Sequence, residues 1–160
     1  MPRTGNEIRV IPSVLDRLID TEPEVPSEPE VSRAKSLGQL KQSVRRDLQS
    51  LFNTRHGRPS LLARGELDSS LLNYGLPDFS SASIVNLLDQ NRIRRALETA
   101  VANFEPRLRD VKVKLLPTPE TERALHFRID ARLRVEPAPE PVTFDTVLHI
   151  HSGEYEIRAI

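Results

Sequence analysis

Glu105-Pro106-Arg107 is the stretch of this sequence with the most definite chemistry. Proline disfavours the helical conformation of the residue before it, so a helix arriving from the N-terminal side should end at about Phe104. Beyond that point Glu105 and Arg107 lie two apart in extended chain, and their side chains leave on the same side. Two uses fit such an acid–base fork. It can close the corner as an internal, solvent-exposed salt bridge, or Arg107 can present its two-toothed guanidinium to a carboxylate of another protein. A third use, Glu105 as the acid of a glycoside hydrolase, asks for a second carboxylate across a cleft and an apolar wall to raise the acid's pKa. An arginine two residues away works against it.

The histidines raise a metal question. His149 and His151 share a strand face, and His126 falls on the polar face of the preceding strand, so three imidazoles could meet if the register brought them together. No fourth ligand stands out. Thiolate chemistry is excluded, because the chain has no cysteine. The six glycines form neither G-x-G nor G-K-[ST], so no phosphate cradle is present. No serine sits in a G-x-S-x-G elbow. Arg92, Arg94 and Arg95 read as a solvated helix face, without interleaved aromatics on which bases could stack.

Composition narrows the classes further. The 160 residues suit one domain, or one domain with an appendage. Lys plus Arg number 23 and Asp plus Glu 23, a balance that argues against wrapping nucleic acid through its phosphates. The longest apolar run is a few residues, too short to span a bilayer. Met1-Pro2-Arg3-Thr4 shows no hydrophobic signal core, which points to the cytoplasm. No cofactor is expected.

The elements that must position these residues follow from periodicity. Ser13 and Asp16 make a capping pattern, and Val14, Leu15, Leu18 and Ile19 form one stripe, so a short amphipathic helix is expected over 13–20. Residues 21–32 carry three prolines and four glutamates, a composition for an extended, semi-rigid linker. Leu37, Leu40, Val44, Leu48, Leu51 and Phe52 give the buried face of a helix over about 32–52, leaving Arg45, Arg46 and Asp47 on the wet side. Tyr74-Gly75-Leu76-Pro77-Asp78 reads as a rigid turn. A short helix from about Ser80 or Ser81 carries Ile84, Leu87 and Leu88. A longer one over 91–104 carries Ile93, Leu97, Val101 and Phe104. The period then changes from 3.6 to 2: Val111, Val113 and Leu115 alternate with lysines, and Leu125 through Val135 alternate without a break. Val142, Phe144, Thr146, Leu148 and Ile150 give a third strand, with a possible fourth at 155–160. The fold class is therefore α+β, with N-terminal helices packed on a small C-terminal antiparallel sheet of three to four strands. The division is a leading helix in 1–20, a Pro/Glu linker over 21–32, and a single α+β domain over 33–160.

Several segments together resemble a known family: Ser13-Val14-Leu15-Asp16-Arg17-Leu18, Val44-Arg45-Arg46-Asp47-Leu48, Asn53-Thr54-Arg55, Tyr74-Gly75-Leu76-Pro77-Asp78, Phe104-Glu105-Pro106-Arg107-Leu108 and Glu140-Pro141-Val142-Thr143-Phe144-Asp145-Thr146. They are similar to the E subunit (TssE) of the type VI secretion baseplate, among the contractile-phage-tail wedge proteins long labelled lysozyme-like. The resemblance implies a structural role, not an enzyme. It implies that Glu105, Pro106 and Arg107 contact the wedge subunits TssF, TssG and TssK. It further implies that the sheet seeds the sheath, TssB and TssC, by accepting their strands along an exposed edge within 142–160. It places the protein in a cytoplasmic baseplate docked at the inner-membrane complex. The readings of a different class are a lysozyme-like hydrolase using Glu105 and a metal module on His126, His149 and His151.

Overall fold

In a computed structural model of the chain, the residues described are 14, 18, 33–56, 70–79, 81–83, 85–117, 124–149 and 151–159. Two helices precede four strands: α1 (Arg33–Asn53), α2 (Leu87–Phe104), β1 (Leu108–Leu116), β2 (Ala124–Leu133), β3 (Glu140–His149) and β4 (Glu154–Ala159). The strands pair in the order β1-β2-β3-β4, every neighbour antiparallel. This is the α+β arrangement expected from the change of period.

One face of the sheet is the core. Leu125, Phe127, Ile129, Ala131 and Leu133 of β2 are buried, as are Val142, Phe144 and Leu148 of β3 and Tyr155 and Ile157 of β4. The helices cover that face with the expected stripes, Leu40, Val44, Leu48, Leu51 and Phe52 from α1 and Ile93, Leu97 and Val101 from α2. The other face carries cross-strand ion pairs. Lys114 reaches Asp130 at 2.7 Å and Arg128 reaches Asp145 at 2.9 Å. The Lys114 ammonium holds the Asp130 carboxyl below its ordinary range. These exposed pairs contribute little to stability and mark the face as wet.

The region before α2 departs from the periodicity reading. Among the described residues there is one helix over Leu87–Phe104, not a short one followed by a longer one; Ser80 and Ile84 lie outside the described residues. Asn86 caps the helix, its side chain accepting from Leu88 N–H at 2.9 Å. Leu87 and Leu88 fall on its first turn and are exposed, so their spacing marks no buried stripe. A second departure lies in β1. Its register slips between Arg109 and Lys112, where two residues face one on β2, and Asp110 takes a positive φ of 54°. Such a bulge reverses the parity of the strand. It lets Leu108 and Val113, five apart, both point into the core.

The leading helix and the Pro/Glu linker lie outside the described residues, apart from Val14 and Leu18. Those two are helical and exposed at 72% and 76%.

Candidate functional site

Phe104 ends α2, and Glu105 N–H still donates to Val101 O at 2.9 Å as the helix cap. The chain turns over Pro106 and enters β1 at Leu108. Glu105 and Arg107 do leave on one side, as their spacing requires. Arg107 Nε donates to Glu105 Oε1 at 2.7 Å and Nη2 to Oε2 at 2.6 Å. The pair is not the surface bridge expected from sequence, because Glu105 is only 4% exposed. Burial changes the energetics: removing one partner of a closed-off pair strands the other charge.

Two residues that sequence reasoning left out complete the arrangement. Arg107 Nη2 also donates to Asp47 Oδ2 at 2.6 Å, and Nη1 to Ser43 Oγ at 3.1 Å. Ser43 and Asp47 are one helical turn apart on α1 and share a face. The helical stripe puts Asp47 on the wet side, where a charge beside apolar residues is usually solvated. Here a cation from another element meets it. Arg46 adds a partly exposed contact to Asp47 at 3.3 Å. With four of its five N–H groups engaged, the guanidinium has one donor left, and its two-toothed side faces its own Glu105. A two-toothed contact with an outside carboxylate is therefore not available in this conformation. The hydrogen bonds that Arg107 donates to the Glu105 carboxylate, and then to Asp47, raise its pKa above the ordinary value.

Tyr74 belongs to the same corner. Its ring meets Phe104 edge-on at 5.4 Å. Burial, and then the Asp47 and Glu105 carboxylates, raise its hydroxyl pKa. Three separated sequence segments, around Asp47, Tyr74 and Glu105, thus converge on one corner. Asn53-Thr54-Arg55 and Gly75-Leu76 meet close by. Leu76 N–H donates to Thr54 O at 2.9 Å and His56 N–H to Leu76 O at 3.1 Å. Gly75 has a φ of 111°, and a Cβ there would lie 2.5 Å from Thr54 O. Only glycine fits that approach. What the corner exposes is Pro106 together with part of Arg107; the side chain of Arg107 is 25% accessible.

The enzymatic and metal readings find little here. Both Glu105 oxygens are held by Arg107, and Asp47 lies against the same guanidinium, not across a cleft from Glu105. Among the described residues no three of His, Cys, Asp or Glu are placed to hold a metal ion. His149 stands 3.7 Å from Glu156.

One buried hydroxyl carries a pH prediction. Tyr155 is 2% exposed, and its hydroxyl has no hydrogen-bond partner among the described residues. Burial pushes its pKa up to about 12. A folded-state pKa above the unfolded value gives stability that is complete below about pH 10 and is lost as pH rises toward 12. Relative to Tyr155→Phe, the wild type should lose about 2 kcal/mol over that interval in chemical denaturation. At pH 7 the substitution should be neutral or slightly stabilising, since it removes an unsatisfied polar group.

The family model of the baseplate wedge protein gp25 matches residues 38–138, from the first turns of α1 to the end of β2 and beyond, with the whole corner inside the match. No curated protein matches the chain at a significant level.

Proposed function

From the premise that this chain belongs to the baseplate wedge protein gp25 family, we propose that it is the corresponding wedge subunit of a type VI secretion baseplate. Membership supports a structural role in a baseplate, with other baseplate components as its partners. Among the described residues no helix is long and apolar enough to cross a membrane. The proposal goes further on each count. The wedge partners are TssF, TssG and TssK, reached through Glu105, Pro106 and Arg107. The sheath partners are TssB and TssC, recruited by addition of their strands to the sheet. The assembly sits in the cytoplasm, docked at the inner-membrane complex.

The observation that carries this reading is the convergence of the Asp47, Tyr74 and Glu105 segments on one corner inside the matched region. Glu105 and Asp47 clamp Arg107 and thereby fix the exposed Pro106 turn, so recognition would rest on a rigid shape more than on a free charge. Affinity purification of the tagged full chain from a cell that assembles the machine tests it. Recovery of TssF, TssG, TssK, TssB and TssC is expected. Recovery of none of them would end the assignment, and peptidoglycan turnover lost in Glu105→Gln would replace it with the hydrolase.

The domain division is part of the same proposal. Deleting residues 1–31 should leave cooperative thermal unfolding intact, because the stripes of α1 and α2 and the sheet core remain. Assembly with partners should weaken. A molten or insoluble truncation would make the leading segment integral to the core.

A further inference from the structure

A four-stranded open sheet has two edges, and in this molecule they are treated differently. The outward backbone groups of β4 are already occupied by α1. Tyr155 N–H donates to Asn53 Oδ1 and Ile157 N–H to Gln49 Oε1, both at 2.9 Å. Gln49 Nε2 and Asn53 Nδ2 both donate to Tyr155 O. Arg45 Nη1 donates to Ile157 O at 3.2 Å, and Arg55 donates to Gly153 O at the preceding turn. Arg45, Gln49 and Asn53 are spaced i, i+4 and i+8. Each step climbs about 6 Å along a helix, close to the roughly 6.6 Å between alternate residues of a strand. A side-chain amide offers one carbonyl and one N–H group, as a peptide does. The flank of α1 therefore stands where a fifth strand would pair.

The β1 edge is flanked by α2 but, among the described residues, capped by it at one backbone group only. Val113 N–H points away from β2 and donates to Glu98 Oε1 at 3.0 Å. By strand alternation the Val113 carbonyl and both backbone groups of Leu115 point the same way. None of these three has a partner among the described residues. The bulge at Asp110 twists the first part of the edge, confining regular pairing to the stretch from Lys112 to Leu116. Lys112 and Arg109 are exposed along it with no carboxylate partner among the described residues. Lys114 is met by Asp130.

We infer that the strand-accepting edge of this sheet is β1, at the Val113 carbonyl and both backbone groups of Leu115, and that β4 is closed by the amide stripe of α1. This rests on the proposal that the sheet recruits a partner strand, and it moves the accepting edge away from 142–160. The incoming segment is an extended strand of another protein. Carboxylates alternate along the side facing Lys112, and apolar residues along the side that continues the core beside half-buried Leu115.

Amide hydrogen exchange on the full chain, with and without the purified pair of sheath subunits, distinguishes the edges. The Leu115 amide, unpaired in the free protein, should slow at least tenfold on addition, while the Ile157 amide stays as it was. Leu115→Pro should weaken binding at least tenfold. Because proline could disturb β1, Lys112→Glu is the companion variant, expected to fold as wild type and to bind at least fivefold more weakly. Binding accompanied by new protection at Tyr155–Ala159, with Leu115 unchanged, overturns the edge assignment and leaves strand recruitment standing. No binding by the wild type overturns both. Binding that protects both edges, or that Lys112→Glu leaves unaltered, refutes the inferred site or its charge preference respectively.

Discussion

Ile129→Asp is expected to lower stability by at least about 4 kcal/mol, enough to leave much of the protein unfolded at room temperature. Ile129 is fully buried at the middle of β2, opposite Val113 on one side and Phe144 on the other. Aspartate there forfeits the packing of a large aliphatic side chain. It also places an ionisable group in the apolar layer between sheet and helices. The neighbouring Arg128→Asp gives the comparison. Arg128 lies on the opposite face, its side chain 40% accessible, paired to Asp145. Reversing its charge sets two carboxylates near each other in water and should cost about 1 kcal/mol. Urea denaturation of the two variants reads the asymmetry directly. Equal losses would mean that both faces of the sheet are covered, contrary to the layered arrangement.

The same asymmetry explains what was legible in the sequence. Leu40, Val44 and Leu48 recur with the helical period, and Phe127, Ile129 and Ala131 alternate, because each repeats a burial that one face imposes many times over. Features set by a single contact leave no such repetition. Asp110 looks like any polar residue of a strand, yet its positive φ reverses the parity of β1. Leu87 and Leu88 look like core because they are apolar, but the Asn86 cap starts the helix just before them and leaves them exposed. Gln49 looks like a solvated helix position, and Asn53 like the first turn residue after the helix. Their partners are backbone groups of β4, more than a hundred residues away, and backbone groups have no sequence signature. The candidate site divides in the same way. The spacing of Glu105 and Arg107 foretold their contact, whereas Asp47 and Ser43 entered only when α1 was laid against the corner.

Arg107→Ala should destabilise the protein by about 2–4 kcal/mol, far beyond the 0–1 kcal/mol of an exposed pair. The substitution takes from Glu105, 4% exposed, both guanidinium hydrogen bonds to its carboxylate, leaving the backbone N–H of residue 107 at 3.3 Å, and takes one each from Asp47 and Ser43. The figure stays below that for a fully interior pair because Arg107 and Asp47 retain 25% and 31% side-chain accessibility. If stranded charge is the main cost, adding Glu105→Gln to Arg107→Ala should recover part of the loss. Arg107→Lys should recover less, since a point charge cannot serve Glu105 and Asp47 in the same geometry. Exchanging the two charges should not restore stability. Glutamate at 107 would face Asp47, so the arrangement of three charges makes the exchange unfavourable even without a partner. Stability and recognition must therefore be separated at Pro106, which is exposed and contributes its carbonyl to Arg134 at 3.3 Å. Pro106→Ala should leave the unfolding free energy within about 0.5 kcal/mol of wild type. If the corner is where wedge subunits bind, the same variant should lose at least tenfold in affinity for them. Full affinity in Pro106→Ala, with Arg107→Ala binding normally at a temperature where it is still folded, would make the corner a device for stability alone.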